Sequence, residues 1–228
     1  MKIKLAILTL LFPLLFFGQI VDNGYEKGEF VDGYKDGIWE YYDNDILILK
    51  VDYTTGKLVY LANDTSNYAI KTKNGWELSK LDIYPHYIGS NEEIVRILGM
   101  NIRYPTEAKI KSIIGTVLLG FEINLQGQVD KIKILRDIGG GCGEEVMRAF
   151  QYIPNYWLVA SKDGKQYKSR YILPVKFQIG KRTKKGDKWK REPKTELIEL
   201  NESKTEFSPT NYLEEVVLSA VKINQVKF

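Results

Sequence analysis

The sequence predicts an α+β chain, in which a β-hairpin meander precedes a small domain with helices packed on an antiparallel sheet. Three observations predict this. Residues 24–61 alternate aromatic and β-branched pairs with glycine-containing turns, the pattern of serial hairpins. Val117, Leu119, Phe121 and Ile123 alternate with Thr116, Gly120 and Glu122, the period of a strand with one buried face. Val146, Ala149, Phe150 and Ile153 recur at i, i+3, i+4 and i+7, the spacing of a helix lying on a sheet.

The elements follow in chain order. Lys2 and Lys4 precede an apolar run over residues 5–17 that is interrupted by Pro13 and followed by Gly18 and Gln19. A run of about a dozen residues is short against the roughly 20 that a spanning helix needs, so residues 1–19 are expected to be a signal peptide. Left uncleaved, the same segment would be an inner-membrane anchor. Residues 20–82 form the expected hairpin region, in which KDGIWEYYD and DYTTGKLVY resemble repeats of the MORN type. Such repeats are mostly scaffolds, and Trp39, Tyr41 and Tyr42 are expected to pack across a small meander without chemistry of their own.

The second domain is expected over residues 83–180. Ser90 and Glu93 form a capping box, Ile94, Ile97 and Leu98 share a face, and Gly99 is placed to close the helix. Tyr104-Pro105 opens a short second helix through Ala108. The strand from Thr116 turns at Gln126-Gly127 and returns with Ile132 and Ile134 between lysines. A glycine-rich turn then leads into a helix with Glu144 and Glu145 in its first turn. After Asp163-Gly164, Tyr167, Tyr171, Leu173, Val175, Phe177 and Ile179 share one face, and Lys168, Arg170 and Lys176 the other. Pro174 cannot donate to a ladder, so this strand is expected at a sheet edge, where a partner strand can add. Residues 181–209 are charged and poor in apolar residues, as in a flexible linker, with loose contact to anionic membrane as a lesser reading. Residues 210–228 form an apolar tail.

Composition narrows the function. The chain has 228 residues, 44% hydrophobic and 12% aromatic, and a net charge of +4, too mild to argue for nucleic acid. One cysteine, Cys142, excludes an intramolecular disulfide, and one histidine, His86, argues against a histidine-rich metal site or a Ser-His-Asp centre. Cys142 reads as a small buried residue at a turn and His86 as a packing or surface residue. The glycine run before Glu144 lacks the Gly-Lys-Ser/Thr of a phosphate loop. Neither an enzyme nor a cofactor is expected.

The order of capped helix, Tyr-Pro, hairpin, glycine turn, helix and a strand with L-P-V-x-F resembles the TonB C-terminal domain family. NIRYPTEAKIKSIIGTVLLGFEINLQGQVDKIKILRDIGGGCGEEVMRAF and RYILPVKFQI carry the match, over about residues 84–179. The resemblance implies a periplasmic module of two helices on a three-stranded antiparallel sheet. It also implies that the last strand pairs with the TonB box of an outer-membrane receptor in TonB-linked transport. Carried over, the binding positions are Tyr167, Ser169, Arg170, Tyr171, Leu173, Val175 and Phe177, with Tyr104-Pro105 and Gln126-Gly127 defining the fold. Trp157-Leu158-Val159-Ala160 replaces the family's usual W-x-P-G.

The tail LEEVVLSA looks like a TonB box of the E-E-V-V-V-x-A pattern. Leu213, Glu214, Glu215, Val216, Val217 and Leu218 are therefore candidates to pair as a strand with the chain's own edge or that of a second copy. Backbone bonds would contribute about 1 kcal/mol each. Burial of Val216, Val217 and Leu218 would add roughly 1.5–3 kcal/mol apiece. The same residues also fit an amphipathic helix. The reading is thus a periplasmic strand-addition protein. One alternative is a structural envelope protein binding through its MORN-like hairpins, and another is an anchored energy transducer.

Overall fold

The computed structural model describes residues 18–180 and 207–221. The chain divides into two compact units between Tyr60 and Leu61. The expected signal segment lies almost wholly outside the described residues, as do residues 181–206 of the expected linker.

The first unit is a meander of β1 (Gln19–Asp22), β2 (Glu26–Val31), β3 (Tyr34–Asp43), β4 (Ile46–Asp52) and β5 (Lys57–Leu61), hydrogen-bonded in chain order. Asp32-Gly33 and Asn44-Asp45 all have positive φ, the backbone of tight hairpin turns whose twist matches that of the strands. Trp39 and Tyr41 are fully buried. The Trp39 indole donates to the Glu29 carbonyl at 3.1 Å, Phe30 meets it edge-on, and Lys35 Nζ sits 3.9 Å from its ring centroid. A Cβ on Gly28 would come within 2.3 Å of the indole, so glycine lets Trp39 lie across β2.

The second unit contains β6 (Tyr68–Thr72), β7 (Gly75–Ser79), β8 (His86–Tyr87), α1 (Asn91–Asn101), α2 (Thr106–Ile110), β9 (Gly115–Ile123) and β10 (Val129–Arg136). It continues with α3 (Cys142–Phe150), β11 (Trp157–Leu158), β12 (Ala160–Lys162), β13 (Lys165–Tyr167), β14 (Ser169–Gly180), β15 (Asn211–Tyr212) and β16 (Val216–Val221). The expected three-stranded sheet exists as β10-β9-β14, but only as one end of a seven-stranded sheet. β6 and β7 extend it, and β15 and β16 also pair with β14. The α+β class holds and the sheet is larger than expected. The boundary at residue 82 is corrected too. The β6–β7 hairpin belongs to the second unit, because Ile70 pairs with Ser169 and Lys71 N–H donates to the Lys168 carbonyl.

One apolar core lies between the helices and the sheet. Ile94 and Leu98 of α1, Val146, Ala149 and Phe150 of α3, Val117, Leu119, Phe121 and Ile123 of β9 and Phe177 of β14 all contribute to it. Ser90 caps α1 by accepting from Glu93 N–H at 3.1 Å. Gly99 does not close that helix, which runs on to Asn101 and is capped by the Ile102 N–H bonding to Leu98. Gly139, Gly140 and Gly141 all take positive φ and turn the chain into α3, which starts at Cys142. Ile132 is exposed rather than core-facing. β10 shifts register between Asp130 and Lys133, and Lys131 takes a positive φ there.

Gly127 defines its turn through backbone contact. With φ of +71°, it leaves room for the Trp157 carbonyl 2.4 Å from where a Cβ would stand, and its own carbonyl accepts from Trp157 N–H at 3.0 Å. Trp157-Leu158 then pairs with β8, so the segment replacing W-x-P-G is a short strand.

Candidate functional site

Alternation along β14 sorts its side chains into two layers. Tyr171, Leu173, Val175 and Phe177 face the helices and are buried at 5% exposure or less. Arg170 and Ile172 face the opposite way, Ile172 against Leu118 and Phe207. The odd-numbered side chains therefore point into the core, while Tyr171, Val175 and Phe177 stand in register with Asn211, Val216 and Leu218 of the tail. Ser169 is also fully buried, at the rung with Ile70. Tyr167 is not on this strand at all. It closes the β12–β13 hairpin opposite Ala160, across the positive-φ turn Asp163-Gly164.

What β14 offers a partner is its backbone. On one side it pairs antiparallel with β9 from Ser169↔Ile123 to Phe177↔Gly115. On the other, the carbonyls of Lys168, Arg170 and Ile172 receive donors from Lys71, the Asn211 side chain and Leu213. Even-numbered residues thus address β6 and the tail. β14 is not an edge among the described residues. β15 pairs with it in parallel at Tyr171↔Asn211 and Ile172↔Tyr212, and β16 in parallel from Val175↔Val216 to Gly180↔Val221.

Pro174 is accommodated by a break in the tail. Its missing N–H falls on the even-numbered, tail-facing side. Between the two parallel ladders the tail spends one residue more than β14, with Leu213, Glu214 and Glu215 outside any strand. A proline at a ladder interruption leaves no acceptor of a regular strand unmet, and this is why it occurs away from an edge.

The tail is a strand over Val216–Val221, not a helix. Val216 is 1% exposed in the main core, with Leu213 and Leu218 packed against it. Val217 points outward at 48% exposure, so it does not contribute the burial expected of it. Glu214 and Glu215 are exposed.

Residues upstream of the tail strand tie it down. Phe207, expected within a flexible linker, is 7% exposed in a cluster with Leu118, Ile172 and Leu135. Gly120 makes room for it, since a Cβ there would stand 2.8 Å from Leu135 and 3.1 Å from Phe207. Arg170, only 3% exposed, lies between two rings, 4.2 Å from the Trp76 centroid and 5.0 Å from that of Phe207. Its Nε donates to the Pro209 carbonyl at 2.6 Å. Burial pulls the Arg170 pKa down, and its cross-strand neighbour Glu122 opposes this. Glu122 in turn receives Lys131 at 2.9 Å.

Asn211 is buried where β6 leaves β14. Its Oδ1 accepts from Ala69 N–H at 2.9 Å and its Nδ2 donates to the Arg170 carbonyl at 3.0 Å. Phe207, Pro209, Asn211 and Trp76 were not legible as site residues. A lone phenylalanine, proline and asparagine in a polar run have no periodicity to mark them.

The remaining candidates are structural. Cys142 is fully buried, and burial together with Asp137 and Glu144 pushes its thiol up to about 11, so it stays protonated near neutrality. His86 has its pKa lowered by burial, and its Nδ1 contacts the Tyr87 carbonyl at 2.5 Å. Among the described residues no three His, Cys, Asp or Glu side chains are grouped to hold a metal ion, and no helix is long and apolar enough to cross a membrane.

Comparison with known proteins places the middle of the chain. Residues 100–179 match the family model of the Gram-negative bacterial TonB protein C-terminal. The chain is similar to the NMR solution structure of the Helicobacter pylori TonB C-terminal domain, at 27% identity over 37% of this chain and 88% of that one, with a TM-score of 0.26. No curated protein matches. The matched segment runs from the last turn of α1 through the glycine turn and α3 to β14, and it is this part of the chain that is similar to the TonB C-terminal family.

Proposed function

We propose that this chain is a periplasmic interaction protein that works by β-strand addition to β14. Its external ligand is a TonB-box-type segment of an outer-membrane receptor, and its own tail is the resident occupant of the same edge. The observation that carries the reading is the parallel ladder from Val175↔Val216 to Gly180↔Val221. A short tail segment of box-like sequence lies along the last strand of a TonB-type sheet, held by backbone bonds and two inward side chains. Main-chain pairing supplies affinity and alternate side chains supply choice, the general logic of strand addition.

The tail then acts as an intramolecular competitor. A tethered strand has an effective concentration in the millimolar range, so an incoming segment must bind well or arrive at a receptor that presents it repeatedly. The test is a titration of receptor-box peptides of the E-E-V-V-V-x-A pattern into a chain ending at residue 206. Backbone amide shifts confined to residues 170–180 support the reading. Saturating peptide with no shift on β14 rejects it.

A further inference from the structure

We propose that the β14 edge reads one side chain of any strand laid on it, the carboxamide in the place of Asn211. The inference deepens the strand-addition reading and rests on it.

β6 and the tail share one side of β14. β6 holds the N-terminal end, at Ser169↔Ile70, and the tail takes over at Tyr171↔Asn211. At the handover, Ala69 N–H and the Arg170 carbonyl are both buried, and the Asn211 side chain joins them at 2.9 and 3.0 Å. The carboxamide thus adds the rung that the backbones of β6 and β14 do not make at that level. The two groups it serves are of opposite kind, one donor and one acceptor. A primary carboxamide presents both functions from one planar end. Aspartate can accept from Ala69 but has nothing to give the Arg170 carbonyl, and alanine leaves both buried groups without the partner they have here.

The same ladder fixes the other positions of the occupant. Leu213, Val216 and Leu218 pack on the core, two, five and seven residues after Asn211, whereas Tyr212 and Val217 are turned outward at 42% and 48% exposure. The edge therefore selects an extended peptide with asparagine followed by apolar residues at those three spacings, tolerates varied residues in the outward place of Val217, and discriminates most sharply at the asparagine. A receptor segment that displaces the whole tail carries this pattern, whereas one that matches the tail only from Glu214 competes for the ladder along Val175–Gly180 alone.

The experiment uses the full chain with a site-specific protease sequence introduced within residues 181–206 and cleaved under native conditions, so that the tail is retained only by its contacts. A fluorescent peptide of residues 207–221 is then exchanged into the cleaved protein and followed by anisotropy. The wild-type peptide is expected to exchange in. Peptides carrying Asn211→Asp or Asn211→Ala are expected to bind at least about tenfold more weakly. A Val217→Asp peptide, which places the charge on the outward side, is expected to bind within about threefold of wild type. Equal binding of the Asn211 variants overturns this inference and leaves strand addition standing. Equal weakening by Val217→Asp overturns it as well, because the loss would then not be specific to the place of Asn211. Failure of the wild-type peptide to exchange at millimolar concentration overturns the strand-addition reading together with it. The variants reside in peptides, so misfolding cannot mimic any of these results.

Discussion

The Arg170 guanidinium lies 5.0 Å from the Phe207 ring, and Arg170 Nε donates to the carbonyl of Pro209 two residues further on. A charged residue of β14 thereby holds the segment that leads into the strand covering β14. Burial of such a group is offset in part by its hydrogen bond and by the faces of Trp76 and Phe207, while one terminal guanidinium nitrogen is buried without a hydrogen bond among the described residues.

Replacing Arg170 should loosen the tail before it loosens the domain. A hydrogen bond to a charged group contributes about 1.5–3 kcal/mol, and a desolvated cation–ring contact adds a further ~1 kcal/mol. Arg170→Met keeps the volume and removes both. The expected outcome is a tenfold or greater rise in amide exchange at residues 211–221, with a smaller change in α3, read by hydrogen-exchange mass spectrometry. Uniform acceleration across α3 and the tail would show that Arg170 supports the whole sheet rather than the tail.

Val216 and Val217 separate strand from helix in solution. In the parallel ladder Val216 is buried and Val217 exposed, so a charge at the first should undock the tail and a charge at the second should not. Val216→Asp is expected to cost more than about 2 kcal/mol of tail docking, and Val217→Asp less than about 0.5 kcal/mol. Limited proteolysis of the C-terminal segment in the two variants reads the difference. Equal sensitivity would contradict the alternation.

Much of the domain was legible because its signals are local. The spacing of Val146, Ala149 and Phe150 reports α3, although the helix stops at Phe150, short of Ile153, and the alternation from Val117 to Ile123 reports β9, since each pattern is a direct consequence of helix or strand geometry. Pro174 was informative and still misled. The physics of a missing donor is right, but it constrains only the proline's own rung, and the tail breaks at that rung. The anchoring of the tail was illegible for a different reason. Asn211 meets Ala69 across 142 positions of chain, and no local pattern encodes a contact of that range.

Gly127 should tolerate no side chain. An alanine there adopts an unfavourable positive φ and meets the Trp157 carbonyl, a backbone atom that cannot move without disturbing the β8–β11 pair. Gly127→Ala is expected to destabilise the second unit by about 2–4 kcal/mol, seen as a lower denaturation midpoint with an unchanged m-value. A loss under about 0.5 kcal/mol would show that this turn relaxes freely.

Cys142 should give the stability curve an alkaline slope. Its folded-state pKa is raised from 9.0 to about 11 by burial and by the nearby Asp137 and Glu144 carboxylates. The protonated thiol is the form that the fold favours. Stability from this group is therefore complete below about pH 9 and declines as pH rises toward 11, because the unfolded chain releases the proton first. A shift of about 2 units corresponds to at most about 3 kcal/mol. Urea midpoints of the wild type and Cys142→Ala, compared at pH 7.5 and pH 10.5, isolate the thiol from the tyrosines, which titrate in both proteins. The wild type should lose stability relative to the variant over that interval. Parallel pH curves would mean that the thiol is hydrated in the folded protein, and rapid alkylation of native Cys142 at pH 8 would then accompany them.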